Sequence, residues 1–74
     1  MISNIRGERA RRGISQSELA KRVGVSESLV RAWEAGKATP SGPALLCMSS
    51  IFDCTTDYLL GRTNERTRMS LMSR

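Results

Sequence analysis

At 74 residues the chain has room for one domain, and its 39% hydrophobic and 26% charged residues are the proportions of a globular fold, not a disordered segment. A formal charge of +5 and a pI near 10.3 favour an anionic partner, nucleic acid first. Two cysteines and no histidine exclude a disulfide framework and leave no ready zinc or other metal site. No apolar run approaches the about 18 residues of a membrane span, and no signal peptide is visible, so a soluble, cytoplasmic protein with no membrane contact is expected. Cys47 and Cys54 are read as small buried residues with free thiols.

The charge is uneven. Residues 6–37 carry eight Arg or Lys against four Glu; residues 38–61 carry Asp53 and Asp57 and no base; residues 62–74 carry four Arg against Glu65. The first segment is a candidate contact surface and the last a candidate basic arm, unless the bases serve only to keep a small protein in solution.

In chain order, a first helix is expected from Ser3 or Asn4 to Arg12, capped by one of those two residues and ended by Gly13 in the left-handed conformation. Gly7 inside it costs about 1 kcal/mol relative to Ala, so this helix relies on packing. A second helix follows Ser15. Ser15-Gln16-Ser17-Glu18 fits a capping box, in which Ser15 accepts from the Glu18 N–H and the Glu18 carboxylate reaches back. Leu19, Ala20 and Val23 form its apolar face, and Gly24 stops it. A third helix starts at once, with Ser26 as its cap and Leu29, Val30 and Trp33 at helical spacing, and ends at Ala35-Gly36-Lys37. A fourth begins after Ser41 with Gly42 and Pro43 in its first turn, and carries Leu45, Met48 and Phe52 as its stripe, with Leu46, Cys47 and Ile51 beside it. Thr55 caps a last short helix holding Tyr58, Leu59 and Leu60, stopped by Gly61. No strand pattern or repeat is present. "RTNERTRMSLMSR" is either a frayed tail or a weak sixth helix. A helical domain over residues 1–61 and a basic tail over 62–74 are therefore expected.

Two short helices joined by about three residues with a glycine form the helix-turn-helix pattern. Such helices cross steeply, so the contact needs a small residue, the turn needs positive φ, and apolar side chains must fill the angle. Ala20, Gly24 and the set Leu19, Val23, Val25, Val30 and Trp33 meet those needs together. Trp33 belongs to that core rather than to a base-stacking surface.

From about Ile5 to Gly61 the chain resembles the phage repressor and Cro-like (xenobiotic-response-element-type) family of helix-turn-helix regulators. The resemblance rests on "GISQSELA", "VGVS", "WEAGKATPS" and "TTDYLLG". It implies an all-α, compact five-helix bundle of the lambda-repressor-like DNA-binding type, whose second helix crosses the DNA backbone and whose third lies in the major groove. It also implies roles by position. Gln16 and Ser17 become phosphate contacts at the start of the second helix. Ser26, Glu27, Ser28 and Arg31 become the groove-facing set, with Ala32 behind them. Lys37 and Thr39 become a second phosphate clamp, and Arg9 pairs with Glu34. Two positions depart from the family: Glu8 stands where an apolar residue is usual, and Asp53 where Gly or Asn is frequent. The chain is also expected to lack the sensor, oligomerisation or self-cleavage domain that many such regulators append.

The side-chain chemistry suits those places. Arg31 can donate twice to guanine O6 and N7, Glu27 can accept from cytosine N4, Ser28 can serve a base edge or a phosphate, and Ala32 can touch a thymine methyl. Glu27 can equally be a charge supporting the first turn of its helix, and Leu29 either core or an apolar contact to a thymine methyl. With no histidine base, no nucleophile pair and no phosphate-binding glycine loop, neither enzymatic activity nor a cofactor is expected. The expected function is sequence-specific binding of double-stranded DNA by a transcriptional regulator, a repressor first, acting as a homodimer. The contact would lie around Tyr58–Leu60, with Met69, Leu71 and Met72 as a further dimer surface or an untidy tail. The alternatives are the antitoxin of a toxin–antitoxin pair, which also masks a small protein partner, and a protein-interaction module.

Overall fold

Ser15, Ser26, Ser41 and Thr55 divide the chain. The computed structural model describes residues 3–64 and 66. Among these, α1 spans Ile5–Arg11, α2 Gln16–Val23, α3 Glu27–Glu34, α4 Gly42–Phe52 and α5 Thr56–Leu59, with no strand. The fold is the expected all-α bundle of five helices.

Four of the starts have one cause. Each cap hydroxyl accepts from the N–H three residues on: Glu18 at 3.0 Å, Leu29 at 3.2 Å, Ala44 at 3.3 Å and Tyr58 at 3.1 Å. Such a cap contributes about 1 kcal/mol. The Glu18 carboxylate of the expected capping box takes a hydrogen bond from Arg22 Nε at 3.0 Å. The first helix departs from the expectation. Asn4 stands at its cap position with φ −95° and ψ 12°, outside the extended conformation that aims a capping side chain, and makes no side-chain cap. Instead its Nδ2 donates to the Tyr58 carbonyl at 2.6 Å and its N–H to the Leu59 carbonyl at 3.0 Å, tying the start of α1 to α5.

The bend between α2 and α3 is closed at Gly24, whose φ is +84°. The N–H groups of Gly24 and Val25 both return to the Ala20 carbonyl, at 2.8 and 3.0 Å. Two N–H donors of the turn share this one carbonyl of the last helical turn, and Ser26 is free to start the next helix.

Ile5, Leu19, Val30, Trp33, Met48, Phe52 and Leu59 are each 2% exposed or less and come from all five helices. Ala20 is buried where the small residue was expected, and Val23, Val25, Leu45 and Ile51 pack against the core from its edge. Leu46, expected beside the α4 stripe, is 68% exposed. Ala44, Met48 and Phe52 already occupy the inward arc of α4, and Leu46 lies on the far side. Leu29 lies at the edge, 38% exposed. Of the cysteines, Cys54 is buried and Cys47 half-buried, both as thiols.

Both departures from the family pattern have a structural account. Asp53 caps α4 at φ +53°, a left-handed position, which explains why Gly or Asn is frequent there; Asp is among the few other residues that tolerate it. Glu8 is buried, 1% exposed. Arg66, from the segment expected to be tail, grips its two carboxylate oxygens with Nε and Nη2, both at 2.8 Å. Arg11 Nη1 adds a longer bond at 3.3 Å, and the Tyr58 hydroxyl donates to the same carboxylate. Arg66 is fixed in turn: Nη2 donates to the Phe52 carbonyl at 3.0 Å, and its own carbonyl accepts from the Thr55 N–H at 2.7 Å. An ion pair between α1 and residue 66 thus replaces an apolar contact. The arginine holds the Glu8 carboxyl below the ordinary carboxylate range against the opposing effect of burial. Burial pushes the Tyr58 hydroxyl and the neighbouring Cys54 thiol up, and the Glu8 charge pushes both further. A weak sixth helix and a dimer surface at Met69, Leu71 and Met72 lie outside the described residues.

Candidate nucleic-acid interface

Val30 and Trp33 turn inward, at 0% and 2% exposure, and this fixes how α3 is rotated. Residues three and four apart on a helix share a face. The side opposite Val30 and Trp33 therefore presents Ser28, Arg31, Ala32 and Ala35, with Glu27 at its flank. Ser28, Arg31 and Ala35 are exposed, and Glu27 and Ala32 half-buried. This side of α3 forms an outward-facing ridge. Ser26 stands at its head: the Oγ accepts from Leu29, which leaves the O–H to donate outward.

Glu27 and Arg31 are bound to each other, four residues apart, with side chains 40% and 57% exposed. Glu27 therefore supports the helix and restrains Arg31. An exposed pair of this kind contributes only about 0.3–0.5 kcal/mol, so a base edge or a phosphate can draw Arg31 away from it.

Beneath the ridge, Glu34 organises the junction of three helices. Arg9 of α1 donates to it twice, Nε to Oε2 at 2.7 Å and Nη2 to Oε1 at 3.1 Å, and sends Nη1 to the Ile14 carbonyl at 2.9 Å. The carboxylate raises the guanidinium pKa further. Gln16, the first residue of α2, also donates Nε2 to Glu34 Oε1, at 3.0 Å. One amide hydrogen of Gln16 is spent inward and the other remains for an external acceptor. Ser17 beside it is exposed.

The far end of α3 closes with Gly36 at φ +76°. Its N–H returns to the Trp33 carbonyl at 3.2 Å and that of Lys37 to the Ala32 carbonyl at 2.8 Å. This double closure satisfies the last carbonyls of the helix and turns the chain outward. Lys37 and Thr39 follow it, both exposed.

The candidate residues thus fall into three adjoining groups: Gln16 and Ser17 at the head of α2; Ser26, Glu27, Ser28, Arg31 and Ala32 on α3; Lys37 and Thr39 in the loop beyond. A cleft of about 470 Å³ lies between the first two, lined by Arg6, Arg9, Gln16, Arg31, Glu34 and Ala35. Arg6 was absent from the residues singled out by sequence. Its spacing of three from Arg9 was the available signal, since it places both on one face of α1.

A family model for the helix-turn-helix matches residues 5–59, most of the described structure. The chain belongs to the helix-turn-helix family. Over its whole length this helix-turn-helix chain is 36% identical to repressor protein C2 of Salmonella phage P22, covering 34% of that protein. It is 36% identical over 52 residues to the HTH-type transcriptional activator BcrR of Enterococcus faecalis, covering 70% of this chain and 26% of BcrR. Its fold matches the crystal structure of the P22 c2 repressor in complex with a synthetic operator, with a TM-score of 0.73 at 39% identity over 80% of this chain and 89% of that one. The chain therefore spans about a third of the first of these relatives and a quarter of the second. Among the described residues no helix is long and apolar enough to cross a membrane.

Proposed function

We propose that this chain is a sequence-specific double-stranded DNA-binding domain of a transcriptional regulator, a repressor, that reads the major groove with α3 as one half of a homodimer. The observation that carries this is the outward ridge of Ser28, Arg31 and Ala32 on a helix anchored by Val30 and Trp33, flanked at both ends by exposed donors. Likeness over the full chain to a protein named a repressor, whose structure was determined in complex with an operator, supports the same reading.

In it, Arg31 leaves Glu27 to donate to guanine, Ser28 and Ala32 meet neighbouring base edges, and Ser26 donates from the head of the helix. Gln16 and Ser17 hold one backbone strand where the leading N–H groups of α2 favour an anion, and Lys37 and Thr39 hold the other side. The DNA-binding domain ends near Gly61, and Arg66 stitches the start of the basic tail to it. Leu59 is buried in the core, so a dimer contact at the end of α5 falls to its half-exposed neighbours Tyr58 and Leu60. Two such headpieces related by a two-fold axis read half-sites whose centres lie about 10 base pairs apart. The chain acts without a cofactor and has no enzymatic role.

Selection from random duplex DNA tests all of this at once. The expected product is an inverted repeat, and log K for it falls with log salt by about 0.9 for each phosphate neutralised. Arg31→Ala relaxes preference at one position of the site, whereas Lys37→Ala weakens all sequences alike. No retained sequence at low salt, with a small protein co-purifying instead, would replace DNA by a protein partner.

A further inference from the structure

We infer that Arg6 is a DNA contact in its own right: the cleft between α1, α2 and α3 seats one backbone phosphate, with the free guanidinium of Arg6 as its principal donor. The inference rests on the DNA-binding reading above and adds to it a residue and a subsite.

The donors and charges around the cleft are unequally engaged. Arg9 is turned inward, its side chain 16% exposed, with Nε, Nη1 and Nη2 each directed at Glu34 or the Ile14 carbonyl and its charge matched by Glu34. Arg31 is held at the rim by Glu27. Glu34, the one carboxylate of the lining, is matched by Arg9, and its oxygens already accept three bonds from Arg9 and Gln16. Arg6 is different. It is exposed, lines the cleft, and has no carboxylate or hydrogen-bond acceptor among the described residues. A guanidinium with its donors unspent, facing a cleft whose only negative charge is already neutralised, leaves that cleft positive.

Two further features select a phosphate as occupant. Gln16 is the first residue of α2, an eight-residue helix whose leading N–H groups have no partner within the helix. Its second amide hydrogen is unspent as well. Arg6 and Gln16 therefore present planar and linear donors from two sides of one opening of about 470 Å³, suited to the two non-bridging oxygens of a phosphodiester. The cleft adjoins the ridge through Arg31, which belongs to both, so a duplex laid along α3 brings a backbone strand over it.

The test uses the full chain, the selected duplex and a scrambled duplex of equal length, each titrated across a range of salt. Arg6→Ala is expected to weaken both duplexes by the same factor and to lower the salt slope by about 0.9 per headpiece. Arg6→Lys restores most of the slope, because a phosphate accepts from a point charge. An unchanged melting temperature separates lost contact from lost fold, since the side chain is exposed. A slope equal to that of the parent overturns the inference while leaving the DNA reading in place. Weakening confined to the selected duplex also overturns it, by making Arg6 a base reader. Failure of the parent to bind any duplex sinks both readings. Saturable, Arg6-dependent binding of inorganic phosphate to the free protein, with the duplex slope unmoved, would make the cleft a free-anion site and overturn its assignment to the DNA backbone.

Discussion

Glu34 and Glu27 end and begin the same helix, yet they do different work. Glu34 is 6% exposed and binds Arg9, itself 16% exposed, and Gln16, so it joins α3 to α1 and α2. Glu27 is 40% exposed and binds only its neighbour on the next turn. Removing Glu34 leaves the Arg9 charge largely out of water with only the Ile14 carbonyl to hold it. Breaking a buried pair costs about 3–5 kcal/mol, and the residual exposure of Arg9 lowers this to about 2–3 kcal/mol. Removing Glu27 costs at most about 0.5 kcal/mol. Glu34→Ala is therefore expected to melt about 10 °C or more below Glu27→Ala. Equal melting temperatures would show that the junction of the three helices does not depend on this carboxylate. The proposed DNA reading adds a second outcome: Glu27→Ala frees Arg31 and removes a negative charge from the proposed contact face, so it is expected to tighten binding to all duplexes.

For the helices, the decisive positions are the ones where the backbone changes direction. Gly24 has φ +84°, and an added Cβ there meets no atom within 4 Å. The cost of Gly24→Ala is then torsional alone, about 1–2 kcal/mol. Gly7 lies inside α1, and its added Cβ also meets nothing within 4 Å. Gly7→Ala therefore stabilises, by about 0.5–1 kcal/mol, because it removes only unfolded-state freedom. Urea melts should move in opposite directions for the two variants; movement in one direction would mean that α1 or the turn is held by something other than its backbone. These elements were legible in the sequence because their causes are local: a hydroxyl three residues from the N–H it accepts, a glycine at the left-handed position, and apolar residues spaced by a helical turn. Asn4 misled because its bonding partners are the carbonyls of Tyr58 and Leu59, more than fifty residues away. Leu46 misled because an apolar residue carries no mark of which side of its helix faces out. The outward face of α3 was readable once Val30 and Trp33 were recognised as core. Arg6 carries no local mark, because an exposed arginine looks ordinary in a sequence and only the fold shows that the other cations of its cleft are paired with carboxylates.

Taken whole, the molecule is tied together by one ion pair that sequence reasoning did not anticipate. Glu8 and Arg66 are separated by 58 positions, and nothing local links them. Their bond decides whether the segment after Gly61 is an independent tail or partly a component of the bundle, since Arg66 also holds the Phe52 carbonyl. Arg62 provides the contrast: its pair with Asp57 is 3.6 Å long, with side chains 64% and 61% exposed. Arg66→Ala is expected to lower the melting temperature at neutral pH clearly more than Arg62→Ala, because it strips a carboxylate that is 1% exposed of its main partner. The pH dependence gives the same argument a second reading. Arg66 keeps the folded pKa of Glu8 below its ordinary value of 4.5. A depressed folded pKa means that the unfolded chain binds the proton first, so this stabilisation is complete above about pH 5 and is lost as the pH falls through the folded pKa. In Arg66→Ala, burial acts on Glu8 with less opposition, and much of that acid-labile stability is already gone. The melting-temperature gap between the parent and Arg66→Ala should accordingly be widest near neutral pH and close as the solution is acidified through the Glu8 range, while the small gap for Arg62→Ala should not follow that course. A gap for Arg66→Ala that stays constant from neutral pH to acid would mean that Glu8 does not need the arginine to remain charged inside the fold.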